Sequence, residues 1–180
     1  MSVQTTSETK MPPPKERFKT NLISFVQHMG GTMKEFLPNN VNPLIMSMVL
    51  SVVRNASSDL MMDKFIERSK CYWDAIYNKE EKTLLDSILI LFKDLPEDQV
   101  KSMSNLFTAK DANGLSVITQ EKKDVIWNYV WSFIKISIKH IHITRQPKIN
   151  DRGVRSYTVE YFKEISIRIN AEKWKIQVDE

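Results

Sequence analysis

Glycine and cysteine are both scarce in this chain, and each scarcity removes a class of function. Only four glycines occur, Gly30, Gly31, Gly114 and Gly153. Phosphate cradles rely on glycine-rich turns that let backbone N–H groups approach the ligand. Neither G-x-G-x-x-G nor a Walker lysine loop is present, so nucleotide binding through those loops is unsupported. A single cysteine, Cys71, cannot close an intramolecular disulfide, which favours a reducing compartment. Beside Tyr72 and Trp73 in an expected helix, it reads as a buried, inert thiol. Long apolar runs are missing too: the longest uncharged stretch, residues 41–53, has 13 positions, against roughly 20 for a bilayer-spanning helix. It is expected to be a core helix. Residues 1–17 are polar and contain Pro12-Pro13-Pro14, without the apolar region of a secretory signal.

What the chain does contain is enough for one folded domain. Its 180 residues are 42% hydrophobic, sufficient to bury a core without covalent staples. Charge is placed unevenly. Residues 1–134 carry 16 basic and 16 acidic side chains, whereas residues 135–180 carry ten basic and six acidic. The whole net charge of +4 therefore sits in the C-terminal quarter.

The rhythm of apolar residues sets the expected architecture. Up to about residue 134 they recur every three to four positions, as in a helix; beyond it they alternate, as in a strand. The expected fold is mainly α, about six helices, with a small C-terminal antiparallel β element, at the boundary of α+β. Residues 1–14 read as a disordered N-terminal tail, 15–143 as the helical domain and 144–180 as a basic hairpin-like extension. The first helix carries Phe18, Leu22, Phe25, Val26, Met29, Met33 and Phe36, and Gly30-Gly31 is expected to kink or split it. Pro43 suits the first turn of a second, central helix bearing Leu44, Ile45, Met48, Val49, Val52 and Val53. Ser57 or Ser58 can cap a third helix, with Met61, Phe65, Tyr72, Trp73 and Ile76 inward and an end near Asn78.

A fourth helix spans about 80–93, with Leu84, Leu85, Ile88, Leu89 and Phe92 inward. Pro96 opens a fifth that buries Val100, Met103, Leu106 and Phe107. Thr119 caps a sixth whose stripe is Ile126, Tyr129, Val130, Phe133 and Ile134. In the extension, a connection at 170–173 sets Ile169 opposite Trp174, Ile167 opposite Ile176 and Ile165 opposite Val178, all on one face. The other face pairs like charges, Arg168 with Lys175 and Glu164 with Asp179. Tyr157, Val159 and Tyr161 fit a third strand, while Tyr157, Tyr161, Phe162, Ile165 and Ile169 fit helical spacing as well.

Chemistry-bearing motifs are incomplete. Asp111-Ala112-Asn113-Gly114 resembles part of a calcium loop, but the first and twelfth ligand positions would be Ala109 and Gln120. An Asn-Gly turn accounts for the residues. His140-x-His142 would place two imidazoles on one side of a strand with no third ligand near, and solvated histidines at a helix exit explain the pair. No calcium, zinc or other cofactor is expected. Trp73, Trp127 and Trp131 fall at helical spacing and read as core.

Lys135, Lys139, Arg145, Lys148, Arg152, Arg155, Arg168 and Lys175, interleaved with Tyr157, Tyr161 and Trp174, form a candidate nucleic-acid surface. Ile165, Ile167, Ile169, Trp174, Ile176 and Val178 form a candidate partner surface, because a lone hairpin is marginal in water and its apolar face needs cover. Docking on the helices would provide that cover; association with a second copy or another protein is the favoured expectation.

The segments Phe65-Ile66-Glu67, Ile76-Tyr77-Asn78-Lys79-Glu80-Glu81 and Ser116 through Ile126-Trp127-Asn128-Tyr129-Val130 resemble a pattern of uncharacterised helical proteins from large eukaryotic DNA viruses, the mimivirus and phycodnavirus group. The resemblance covers residues 65–138 and carries no catalytic motif. It implies a viral protein made in the cytoplasm of the infected cell, and a place in the virion. The expected function is a non-enzymatic structural or protein–protein interaction role, such as a virion or assembly component. The competing readings are a nucleic-acid-binding protein using the basic segment and an enzyme whose site one sequence cannot identify.

Overall fold

The computed structural model describes residues 11–40 and 42–144. Its helices are α1 (Pro14–Phe36), α2 (Pro43–Asn55), α3 (Ser58–Ser69), α4 (Trp73–Tyr77), α5 (Glu81–Leu91), α6 (Glu97–Thr108) and α7 (Gln120–Thr144). Short 3-10 turns lie at Pro38–Asn40 and Lys70–Tyr72. The stretch expected as one third helix is thus divided into α3, a turn and α4, and every expected helical segment is present. Among the described residues β structure is limited to one isolated bridge between Lys110 and Ser116. The expected antiparallel element falls within residues 145–180, outside the described residues.

Helix starts follow from side chains that accept orphan backbone N–H groups. Asn42 accepts from the Leu44 amide at 3.0 Å, with Pro43 in the first helical position. Ser57 accepts from Leu60 at 3.5 Å and Thr119 from Lys122 at 3.3 Å. Proline opens α1 at Pro14 and precedes α6 at Pro96, where Glu97 and Asp98 complement the positive end of the helix dipole.

The long helices α1 and α7 form the central pairing, and α3 packs against both. Phe133 of α7 is the hub. Its ring centroid lies 5.2 Å from Phe18, 5.6 Å from Phe25 and 5.8 Å from Phe65. Trp127 and Phe133 are both buried, at 3% and 1% exposure. All four residues expected inward on α6 are buried, whereas Leu89 of α5 faces solvent.

Three features of the sequence are decided by the packing. First, the chain stays helical, as expected for this span, through the alternation Ile134-Lys135-Ile136-Ser137-Ile138, and α7 runs to Thr144. Ile134, Ile136, Ser137, Ile138, His140 and Ile141 are all buried. A helix buried on several sides need not show a 3.6-residue apolar stripe, so a chance alternation survives in its sequence.

Second, Gly30-Gly31 does not break α1. The intrinsic penalty of about 1 kcal/mol per glycine is outweighed by burial of Val26, Met29, Thr32 and Met33 around the pair. Gly30 instead admits α2: a Cβ there would meet Met46 Cε at 2.7 Å.

Third, α2 is peripheral rather than central. It packs chiefly on α1, burying only Val49 and Val53. These join Val26 in a small cluster beside the main core. Leu44, Met48 and Val52 point to solvent, 68%, 59% and 58% exposed.

Candidate functional site

Of the expected site residues, only Lys135 and Lys139 fall among the described residues. Ile165, Ile167, Ile169, Trp174, Ile176 and Val178, with Arg145, Lys148, Arg152, Arg155, Arg168 and Lys175, lie outside the described residues. Lys135 and Lys139 occupy α7 one turn apart, the first exposed and the second half-buried.

His140 and His142 stand on a helix, where positions two apart lie on opposite sides rather than one. His140 is buried, not solvated. Burial lowers its pKa, opposed by Asp63 and Asp59 and reinforced by Lys15. Cys71 is exposed rather than buried. The 3-10 turn at Lys70–Tyr72 carries it outward, while Ser69 and Trp73 turn in and bond to each other at 2.8 Å through the indole N–H.

The Asp111 carboxylate is engaged by the chain itself, accepting from the Asn113 and Leu115 amides at 2.8 and 3.0 Å. Gly114 completes that turn at φ 77°. Among the described residues, no group of three or more His, Cys, Asp or Glu is placed to hold a metal ion. Trp131 is only half-buried; its indole N–H donates to the Ile76 carbonyl at 2.9 Å, and the Lys79 ammonium lies 5.1 Å from its ring centroid.

The feature with the chemistry of a binding site is a cleft at the α2–α3 corner. Because α2 leans on α1 while α3 leans on α1, α5 and α7, a gap of about 260 Å³ remains between them. Its walls are almost entirely apolar. Phe18 and Leu22 contribute from α1, Val52 and Val53 from α2, Leu60, Met61 and Phe65 from α3, and Leu91 and Phe133 from α5 and α7.

Charge is confined to Lys64, Arg68 and Asp94. Arg68 grips Asp94 with two nitrogens at 2.8 and 3.2 Å, and Lys64 approaches the same carboxylate at 3.5 Å. The Arg68 hydrogen bond holds the Asp94 carboxyl below its ordinary pKa against the opposing effect of burial. Nearby, Lys19 donates to the Ala56 carbonyl at 2.9 Å, closing the corner where α2 ends.

The cleft opens onto exposed apolar surface. Leu60 is 50% exposed on one side, and the stripe Val52, Met48 and Leu44 runs away along α2 on the other. Positions 44, 48 and 52 recur every four residues and span about 12 Å of helix. Helical spacing revealed these residues in the sequence but could not tell which of two apolar faces on α2 meets the core. The uncharged composition of residues 43–53 pointed instead to a buried helix, since a peripheral helix ordinarily carries charge on its outer face.

Among the described residues, no helix is long and apolar enough to cross a membrane. No protein-family model, curated protein or solved structure matches the chain.

Proposed function

We propose that this protein is a non-enzymatic interaction module whose docking surface is the α2–α3 corner. The observation that carries the reading is the pairing of an apolar cleft with an exposed apolar stripe on an otherwise uncharged helix face. Scattered exposed apolar residues are ordinary; contiguous ones rimmed by charge mark interaction sites. Methionines at 48 and 61 add an adaptable surface, since the unbranched thioether can repack against different partners. The resemblance to helical proteins of large DNA viruses extends the proposal to a virion-associated or assembly component acting in the host cytoplasm or the particle.

A photo-crosslinking amino acid at position 48 of the intact chain tests the docking surface, with the exposed position 128 on α7 as control. In the cells that naturally make the protein, position 48 is expected to give discrete products by mass spectrometry that vanish on Val52→Asp. Products of equal yield from both positions, or none from position 48, would contradict the reading.

A further inference from the structure

We infer that the occupant of the α2–α3 cleft is an amphipathic helical segment of acidic character from another protein, an inference that rests on the docking reading above. Shape and charge both point to it. The cleft, at about 260 Å³, lies near the lower end of the roughly 300–1,000 Å³ usual for sites that enclose a whole small molecule, and it opens onto an exposed apolar strip. It has room for one large anchoring side chain over Phe18, Phe65 and Phe133.

The apolar strip continues from that anchor point through Val52, Met48 and Leu44. A partner helix with apolar residues at i, i+4 and i+7 would cover about the same length, the mode in which amphipathic helices enter grooves. A free amphiphile filling the cleft alone would leave that strip bare.

Charge selects the sign of the partner. Two cations, Lys64 and Arg68, share the single carboxylate of Asp94, which leaves the mouth with a cationic surplus. Lys64 is the more available of the two, with its side chain 40% exposed against 21% for Arg68. Lys19 at the Ala56 carbonyl adds a cation at the corner, where the acid at the start of α3, Asp59, is paired with Lys15 at 3.0 Å. Aspartate or glutamate flanking the anchor of a partner helix would meet this rim; lysine there would be repelled.

Fluorescence anisotropy on the full chain tests the inference with two labelled helical peptides. Both carry the same leucine and phenylalanine stripe, flanked by glutamates in one and by lysines in the other. The glutamate peptide is expected to bind about tenfold tighter at low salt, with the gap narrowing as ionic strength rises. Lys64→Gln is expected to weaken the glutamate peptide about threefold or more while sparing the lysine peptide. Leu60→Gln is expected to weaken both.

Equal affinities, or a preference for the lysine peptide, would overturn the acidic assignment while leaving the docking surface standing. Failure of both peptides would overturn the helical occupant itself; the crosslinking result then decides the docking reading separately. Two further outcomes would also overturn the inference. One-to-one binding of laurate with both peptides inert would give the cleft to an amphiphile. A dimer seen by light scattering and dissolved by Val52→Gln would give it to a second copy.

Discussion

At the scale of single residues, the fold depends on large side chains filling the α1–α7 seam. Trp127 is buried in the main core, so Trp127→Ala should cost about 3–5 kcal/mol in urea unfolding through lost transfer energy and the cavity left behind. An effect below about 1 kcal/mol would show that the site is not closely packed.

His140 gives the molecule a pH dependence of defined sign. Burial lowers its pKa below the ordinary 6.5, Lys15 of α1 acts in the same direction, and the opposing Asp63 and Asp59 of α3 do not reverse it. Below pH 6.5 the unfolded chain therefore takes up a proton that the native state resists, and stability falls as pH falls. His28, whose pKa is also lowered by burial and Lys122, contributes with the same sign. Unfolding measured at pH 7 and 5.5 should show a smaller acid loss in His140→Gln than in the unmodified chain. An identical loss in both would assign the effect elsewhere.

At the scale of elements, the legible features were those with local causes. Thr119, Ser57 and Pro43 announce helix starts because capping is a property of a few adjacent residues. The inward faces of α6 and of the first half of α7 follow from 3.6-residue spacing. What the sequence did not disclose depends on neighbours distant along the chain. The alternating isoleucines at 134, 136 and 138 are helical because α7 is enclosed by other helices. Gly30 is a contact point for Met46, and the glycine pair carries no mark of that.

The same logic ranks the elements by stability. α7 is held by the main core, whereas α2 is held by Val49 and Val53 in a small side cluster. Regions with few buried apolar contacts open at lower free energy than the core. Amide exchange in the isolated protein should therefore be faster across residues 46–55 than across residues 126–141. Equal protection of the two helices would contradict this division.

At the scale of the whole molecule, the cleft arises because α2 and α3 part over α1. Its ingredients were visible as apolar and basic positions, but their convergence was not. Val52 and Leu60 are eight residues apart, whereas Phe18, Leu91 and Phe133 reach the same cavity from three other helices. The expected partner surface at Ile165–Val178 belongs to a different part of the chain, and docking at the α2–α3 corner does not require it.

The central claim is that the outer face of α2 serves association and not folding. Replacing Leu44, Met48 and Val52 together by glutamine keeps strong helix formers at exposed positions. Thermal and urea unfolding of the intact triple variant, run beside binding of the acidic peptide, separates the two roles. The predicted result is stability within about 1.5 kcal/mol of the unmodified protein, with peptide affinity reduced about tenfold or more. A variant that loses most of its stability, or one that keeps both its stability and its affinity, would contradict the account.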